Sequence, residues 1–182
     1  MKLLRVGKLG SEIVAAVDDN NIIRDLSDYI EDLNPQTINE ETLKKLKRVK
    51  LSELKEIDPN IRIGSCISDP VDFLAIGLNY KAHAEGTKSK LPTEPIVFNK
   101  SSGCIQGPND QIIKPKSASK MDYEVEVGMI IGREGKYIKE ENAQDHVFGY
   151  CIVNDISERS WQKERGGQWI KGKSIAHQQG LI

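Results

Sequence analysis

The sequence lacks any apolar run near the ~18 to 20 residues that a membrane-spanning helix needs, and its N-terminus has no uninterrupted apolar stretch of the signal-peptide type. We therefore expect a cytoplasmic protein with no membrane partner. An excess of charge is also absent, because 26 basic residues are matched by 27 acidic ones and the formal net charge is -1. This balance provides no field that attracts a phosphate backbone, so nucleic acid is not an expected partner.

Cysteine is scarce, and its spacing argues against two further classes. The three cysteines are far apart, odd in number and without a C-x-x-C pair, so neither a disulfide framework nor a zinc site is indicated. We expect Cys66, Cys104 and Cys151 to be reduced thiols in the core. Hydrophobic residues at 38% and charged residues at 29% are typical of a folded chain. The 182 residues suffice for one domain of about 150 residues plus a small appendage.

The first 70 residues predict a small α+β domain. A turn at 18–21 separates short apolar runs at 12–17 and 22–25, which is typical of a β-hairpin. A capping box at 37–40 then precedes apolar residues at roughly helical spacing, in a basic segment that we interpret as a helix with a solvated face. The stretch 58–70 is rich in turn-forming residues, and we place a domain boundary near residue 70.

Residues 71–182 predict a second domain of mainly short strands, so the chain as a whole is expected to be mixed α/β and mainly β. Polar or Gly/Pro-containing segments connect the predicted strands, and no internal repeat is present. One short helix is predicted near 139–145. The predicted strands are 73–78, 95–99, 110–114, 123–131 and 147–153.

Three carboxylates of this second domain are candidate metal ligands. Glu124 and Glu126 lie two residues apart in a predicted strand, so they share one face at a distance of roughly 7 Å. Asp155 follows the apolar strand 147–153, a position suited to facing a cleft. Carboxylate oxygens suit Mg²⁺, Mn²⁺ or Ca²⁺. Two alternatives stay open: the glutamates can be solvated charges on an edge strand, and Asp155 can be the N-cap of a helical segment at 157–162.

Three other side chains are candidate catalytic groups. His83 and Glu85 come just after an apolar strand, where Glu85 can orient the imidazole or share proton transfer if the loop brings the two together. A surface or core histidine without a chemical role is the alternative. Lys173, in a Gly-Lys-Ser step, can bind a substrate carboxylate or stabilise an enolate, and an exposed lysine is the alternative.

Seven sequence blocks occur in order between about residues 71 and 174. They are Gly77–Tyr80 with His83, Glu94–Lys100, Gln106–Pro108, Asp122–Glu126, Gly149–Tyr150 through Asn154–Arg159, Gly166–Trp169 and Gly172–Ser174. Together they resemble the fumarylacetoacetate hydrolase family, in its bacterial branch with a small N-terminal domain. Members of this branch are often labelled hydroxyhepta-diene-dioate isomerase, hydratase or ureidoglycolate lyase.

The resemblance implies a mixed-strand roll that binds Mg²⁺ or Mn²⁺ and acts on a small 2-oxo acid or an acylpyruvate-like diketo acid. It implies metal ligation by Glu124, Glu126 and Asp155. It also implies a homodimer, if the roll is complete. A metal chelated by the 2-oxo and carboxylate oxygens of such a substrate stabilises an enolate, which suits C–C hydrolysis, lyase, decarboxylation or isomerisation chemistry. The implied catalytic residues are His83, Glu85 and Lys173, and the implied substrate-binding residues are Tyr80, Lys100, Arg159 and Gln162.

The chain departs from the family pattern at two places. The family commonly has His-x-x-Glu, whereas Gly86 stands three residues after His83 and the acid, Glu85, is one place early. After the Gly-Lys-Ser step the family continues with an Asp-Thr and Pro-x-Gly-Pro segment, which residues 175–182 do not show. We therefore expect an incomplete roll that ends in an atypical segment. One choice of codons for 176–182 encodes Thr-Pro-Thr-Gly-Pro-Tyr in another frame, so a frameshift is our hypothesis, and the gene sequence tests it.

The sequence thus favours a divalent-metal-dependent enzyme that acts through an enolate. The alternative is a catalytically incomplete remnant or a non-enzymatic interaction protein left by a truncation or frameshift. A third interpretation is a structural domain in which Glu124 and Glu126 are solvated strand charges.

Overall fold

The N-terminal part of the chain folds around a three-stranded antiparallel sheet. In the computed structural model, residues 1–86, 90–175 and 179–180 are described, without the side chains of residues 83, 179 and 180. The sheet has the strand order β1-β2-β3, with β1 (Lys2–Val6), β2 (Ile13–Val17) and β3 (Ile23–Asp25). The predicted hairpin is confirmed as β2 and β3. The sequence did not predict β1, which pairs with the other edge of β2.

The first helix begins later and ends earlier than its apolar spacing indicated. Helix α1 spans Glu40–Leu46, and the side chain of Asn39 caps it by accepting a hydrogen bond from the amide of Thr42 at 2.9 Å. The predicted capping box is therefore wrong: Thr37 instead accepts from the amide of Asn34 at 3.0 Å within the preceding turn. Of the later leucines, Leu51 begins a single 3-10 turn, Leu51–Glu53, and Leu54 is the C-cap of that turn.

One face of the N-terminal sheet and the turns around α1 form a hydrophobic core. Alternate residues of β2 point into it, as the period of a strand requires. The partly buried Ile130 and Phe148 of the second part of the chain pack against the same core. Its buried members are Val14, Ala16, Leu26, Ile30, Leu33, Ile38 and Leu46.

In its described residues, the second part of the chain is built from paired short strands and three short α-helices. The described elements are β4 (Phe73–Gly77), α2 (Lys81–Gly86), β5 (Ile96–Lys100), β6 (Ile105–Gln106), β7 (Met121–Asp122), β8 (Val125–Ile131), β9 (Val147–Asn154), β10 (Ser157–Glu158), α3 (Arg159–Lys163), α4 (Ile170–Lys173) and β11 (Gln179–Gly180). The antiparallel pairs are β4 with β5, β8 with β9, and β7 with β10, while β6 and β11 pair in parallel. This is the mixed, mainly β architecture that the sequence predicted, present as a partial roll.

Two predicted elements differ from the structure. Residues 110–114 form no strand, and Ile112 and Ile113 are exposed. The predicted helix near 139–145 is present as a 3-10 helix, Glu140–His146.

Polar and thiol contacts join the two parts of the chain. The guanidinium of Arg62 donates to both carboxylate oxygens of Asp110, at 2.8 and 2.6 Å, and to Glu12 at 2.7 Å. The thiol of Cys66 is hydrogen-bonded to Cys151 on β9, and this bond together with burial raises the pKa of Cys66. Cys104 is buried, as expected of a core thiol, whereas Cys66 and Cys151 are only partly buried.

The β8–β9 pair leaves one apolar face exposed. Val127 pairs with Ile152 and Met129 with Tyr150, so these four side chains lie on the same face, and each is 54% exposed or more. The opposite face carries Glu126 and the buried Val153. Among the described helices, none has the length and apolar character needed to cross a membrane.

Candidate active site

The ends of β8 and β9 place Glu124 and Asp155 side by side. Val125 is paired with Asn154, and the amide of Asp155 donates to the carbonyl oxygen of Glu124 at 2.8 Å, which extends the ladder by one step. Both carboxylates therefore reach the same space. Their side chains are 13% and 7% exposed, so the two charges are largely removed from water.

Two buried lysines neutralise these carboxylates. Lys173, the last residue of α4, donates from Nζ to Glu124 Oε2 and to Asp155 Oδ2, the latter at 2.9 Å. Lys100, the last residue of β5, donates to Asp155 Oδ1 at 2.7 Å and to the carbonyl oxygen of Lys173 at 2.6 Å. Burial lowers the pKa of Lys100, an effect that the charge of Asp155 opposes. Asp155 thus binds one ammonium group on each oxygen.

A close backbone contact positions Lys173. Helix α4 passes over the start of α3 at Gly172, where an added Cβ would lie 2.4 Å from the carbonyl oxygen of Glu158 and 2.7 Å from the amide nitrogen of Gln162. Neither backbone atom can move easily, so only glycine fits. The close contact at Gly172 positions α4 so that the following residue, Lys173, contacts Glu124 and Asp155.

Arg159 holds Glu124 from the other side. Its guanidinium donates to Glu124 Oε1 at 2.7 Å and to Asp122 Oδ2 at 2.8 Å. It also donates to Oε1 of the buried Gln162 at 3.0 Å. Burial by itself raises the pKa of Glu124, but the hydrogen bonds and charges of Lys173 and Arg159 outweigh it and lower the value to about 2.

Glu126 lies close to the same charged groups, but its pKa shifts in the opposite direction to that of Glu124. Burial, and then the neighbouring charges of Glu124 and Asp155, raise the pKa of Glu126, although a hydrogen bond with Tyr80 and the charge of Lys173 act to lower it. The hydroxyl of Tyr80 also accepts a hydrogen bond from the amide of Val127 at 3.3 Å. The rise in the pKa of Glu126 beside two other carboxylates marks a region that favours a cation.

The sequence interpretation missed a buried acid, Glu158. Its carboxylate accepts hydrogen bonds from the amides of Ser119, Lys120 and Trp161, at 3.0, 2.6 and 2.6 Å, and from the hydroxyl of Ser160 at 2.7 Å. Burial tends to raise the pKa of Glu158, but these donors lower it to about 2.

This carboxylate is the N-cap of α3, so the alternative in which Asp155 caps that helix is wrong. The sequence carries no signal for this cap, because Asn, Asp, Ser and Thr, rather than Glu, are the preferred N-cap residues. The loop 119–120 that Glu158 also binds could not be predicted from the sequence.

The remaining predicted site residues fall into three groups. Lys100, Arg159 and Gln162 make internal contacts that hold Asp155 and Glu124. Glu85 is exposed on α2, 3.8 Å from Lys81, and its predicted pairing with His83 stays a prediction. The side chain of His83 lies outside the described residues, as does most of the atypical segment 175–182.

The three carboxylates have the chemistry of divalent-metal ligands, but the ammonium of Lys173 occupies the space between two of them. Glu124, Glu126 and Asp155 supply the oxygens that Mg²⁺ and Mn²⁺ prefer. Within the described residues, however, no group of three or more His, Cys, Asp or Glu side chains is arranged around an ion position. The Lys173 ammonium lies between two of the three carboxylates. An ion held by all three would require this ammonium to move aside.

Comparisons with known proteins define the class. The family described as Fumarylacetoacetate (FAA) hydrolase C-terminal matches residues 72–181, a range that includes most of the final eight residues. The chain belongs to this family.

Solved and curated relatives agree with that assignment. A Burkholderia ambifaria protein, provisionally named a hydrolase, is 46% identical over 96% of this chain and 62% of its own length. The fumarylacetoacetate hydrolase of Exiguobacterium antarcticum is similar in structure, with a TM-score of 0.79 and 25% identity over the whole chain and 66% of its own. The 2-hydroxyhepta-2,4-diene-1,7-dioate isomerase of Mycobacterium marinum has a TM-score of 0.73 and 25% identity over the whole chain and 64% of its own. The chain therefore spans a little under two thirds of each of these relatives.

Proposed function

We propose that the protein is a divalent-metal-dependent enzyme that acts on small 2-oxo acids or acylpyruvate-like diketo acids. The observation that carries this proposal is that Glu124 and Asp155 share the buried ammonium of Lys173, with Glu126 near enough to interact electrostatically with all three. Family membership supports an enzyme of the hydrolase or isomerase type. The alternative of a non-catalytic remnant has no support from these relatives.

The site residues have separate proposed roles in binding the metal, orienting its ligands and binding the substrate. Glu124, Glu126 and Asp155 would hold Mg²⁺ or Mn²⁺, which acts as a Lewis acid toward the 2-oxo and carboxylate oxygens of the substrate. Arg159 and Lys100 fix the orientation of the two most buried carboxylates. Lys173 would supply positive charge for a substrate carboxylate, and the hydroxyl of Tyr80, which is hydrogen-bonded to Glu126, would orient a substrate oxygen.

Three further parts of the proposal rest on the family resemblance. His83 is the proposed base, on helix α2 that follows β4. The proposed assembly is a homodimer, in which a complete roll encloses the site. The whole reaction also draws on the third of the family fold that this chain does not span.

Turnover of two diagnostic acids tests the function. We expect the chain to consume acetylpyruvate or oxaloacetate only when Mg²⁺ or Mn²⁺ is present. Loss of enol absorbance monitors the first reaction, and formation of pyruvate monitors the second. Glu124→Gln should lower the rate by about 100-fold or more, because it removes a proposed ligand. Lys139→Gln, a change in an exposed ion pair, should leave the rate unaltered. Absence of turnover on both acids, or turnover that survives a chelator, would contradict the proposal.

A further inference from the structure

Two thiols from distant parts of the sequence meet where the N-terminal part of the chain contacts β9. Cys66 belongs to the turn-rich segment 58–70, and Cys151 lies near the middle of β9. Their side chains are hydrogen-bonded to each other. Both are partly buried, whereas the third thiol, Cys104, is fully buried and donates to the carbonyl oxygen of Ser101 at 2.8 Å. The contact of Cys66 with Cys151 therefore brings two oxidisable groups together.

Hydrogen bonds on both sides of Cys66 attach it to the N-terminal part of the chain. The carbonyl oxygen of Ser65 accepts from the buried guanidinium of Arg5 at 3.4 Å. The amide of Ser68 donates to the carbonyl oxygen of Leu33 at 2.8 Å. Because Arg5 lies on β1 and Leu33 in the adjoining hydrophobic core, Cys66 has a fixed place in this part of the molecule.

A glycine on the neighbouring strand makes room for Cys151. Cys151 pairs with Gly128 of β8, and a Cβ added to Gly128 would lie 2.7 Å from Sγ of Cys151 and 2.8 Å from a methyl carbon of Val153. The absence of a side chain at Gly128 thus leaves the space beside the sulfur of Cys151 open. Since Val153 is buried and alternates with Cys151 along β9, the two side chains share the face that turns toward the protein interior.

We infer that Cys66 and Cys151 form a reversible disulfide under peroxide, which links the N-terminal part of the chain to β9. The thiolate of Cys151 attacks one oxygen of hydrogen peroxide, the O–O bond breaks, and a sulfenic acid and, with the proton that the thiol released, one water form. The thiol of Cys66 then attacks the oxidised sulfur, and a second water leaves as the S–S bond forms. The two thiols together lose two protons and two electrons, all of which the peroxide takes up. A thiol reductant reverses the reaction.

The shared hydrogen bond gives the two thiols different roles. It lowers the pKa of Cys151, an effect that burial opposes, while the same bond and burial raise the pKa of Cys66. A thiol with a lowered pKa forms the attacking thiolate more readily, so Cys151 is oxidised first and Cys66 completes the bond. Disulfides of this kind are usually transient in a reducing compartment, in agreement with cysteines that are free in the resting protein.

Disulfide mapping of the oxidised 182-residue chain tests the inference. Protein treated with hydrogen peroxide is blocked with iodoacetamide, digested without reductant and analysed by mass spectrometry. We expect a peptide pair joined through Cys66 and Cys151, a single-chain band on a non-reducing gel, and loss of the pair after dithiothreitol. Because the bond closes a long loop of chain, oxidation should also raise the melting temperature by about 5 °C or more.

Matched variants separate this contact from general thiol oxidation. Cys66→Ser should lose both the joined peptides and the rise in melting temperature, whereas Cys104→Ala should keep them. Gly128→Ala, which moves the sulfur of Cys151, should suppress the bond, and Gly149→Ala, with open space at its Cβ, should not. Circular dichroism checks that each variant folds, and the mapping of the wild type decides the question if one does not. Unchanged thiols, sulfinic acids without a bond, bridges between chains or a bond to Cys104 in the wild type would overturn the inference.

Discussion

The ammonium of Lys100 donates to Asp155 at 2.7 Å in a contact where the two side chains are only 1% and 7% exposed. Sequence resemblance assigned Lys100 to the substrate, but its described partners are a carboxylate and a backbone carbonyl of the protein. Lys100 thus holds Asp155, a proposed metal ligand, in position, and its contact with the substrate stays a prediction.

Replacing Lys100 with methionine should destabilise the protein. The change leaves one oxygen of a buried carboxylate without its cation, and breaking a buried ion pair costs about 3 to 5 kcal/mol. Urea unfolding at pH 7 measures the loss. Lys139→Met is the matched control, because Lys139 and its partner Glu141 are 76% and 68% exposed, and we expect a cost under about 0.5 kcal/mol there. Equal costs for the two variants would show that Lys100 is not held as described.

The carboxylate of Glu158 should give the fold a specific acid sensitivity. Its pKa falls from an ordinary value of 4.5 to about 2 on folding. A lowered pKa contributes stability above the unfolded value, and that contribution is lost as pH falls from about 4.5 toward 2. Glu158→Gln should cost about 1 to 3 kcal/mol at pH 7, since buried amides lose their acceptor. Melting temperatures between pH 7 and 2.5 should show the gap between variant and wild type narrowing, and a constant gap would contradict this role.

Gly172 should tolerate no side chain. An added methyl group meets backbone atoms of α3 at 2.4 and 2.7 Å, so Gly172→Ala should destabilise the protein by about 1 to 3 kcal/mol and weaken Mn²⁺ binding through displacement of Lys173. Gly149→Ala is the control, because nothing lies within 4 Å of a Cβ at that position. Thermal melts and Mn²⁺ titrations compare the two. If both alanine variants behave alike, the close approach of α4 does not position Lys173.

The apolar face of β8 and β9 should make the isolated chain self-associate. Met129 is 59% exposed on this face, so Met129→Lys should change the free energy of unfolding by less than about 0.5 kcal/mol. The same change should reduce association in sedimentation velocity experiments, since large exposed apolar patches promote contact between molecules. Val153→Ala, on the buried face, should instead cost about 1 to 3 kcal/mol without reducing association. Association unaffected by Met129→Lys would exclude this face as the cause.

Much of the strand architecture followed from sequence because apolar periodicity reflects burial. Strands β4, β5, β8 and β9 lie within about two residues of their predicted bounds. The prediction failed at 110–114, where Ile112 and Ile113 suggested a strand but are exposed. Pairing, rather than local pattern, decides whether such a segment becomes a strand.

The candidate site was only partly visible in the sequence. Strand geometry places Glu124 and Glu126 on one face, and Asp155 at a strand end, so their proximity could be expected. The burial of Lys173 could not be expected, because the residues around it are equally compatible with an exposed lysine. Its position depends on the packing of α4 at Gly172, a contact between distant parts of the chain.

An anomalous scattering experiment on crystals grown with Mn²⁺ and oxalate tests the central claim most directly. The account predicts a manganese peak within about 2.2 Å of carboxylate oxygens from Glu124, Glu126 and Asp155, with the ammonium of Lys173 moved away from between them. The contradicting result is a well-ordered site in which Lys173 still bridges Glu124 and Asp155 and no manganese peak lies beside the three carboxylates.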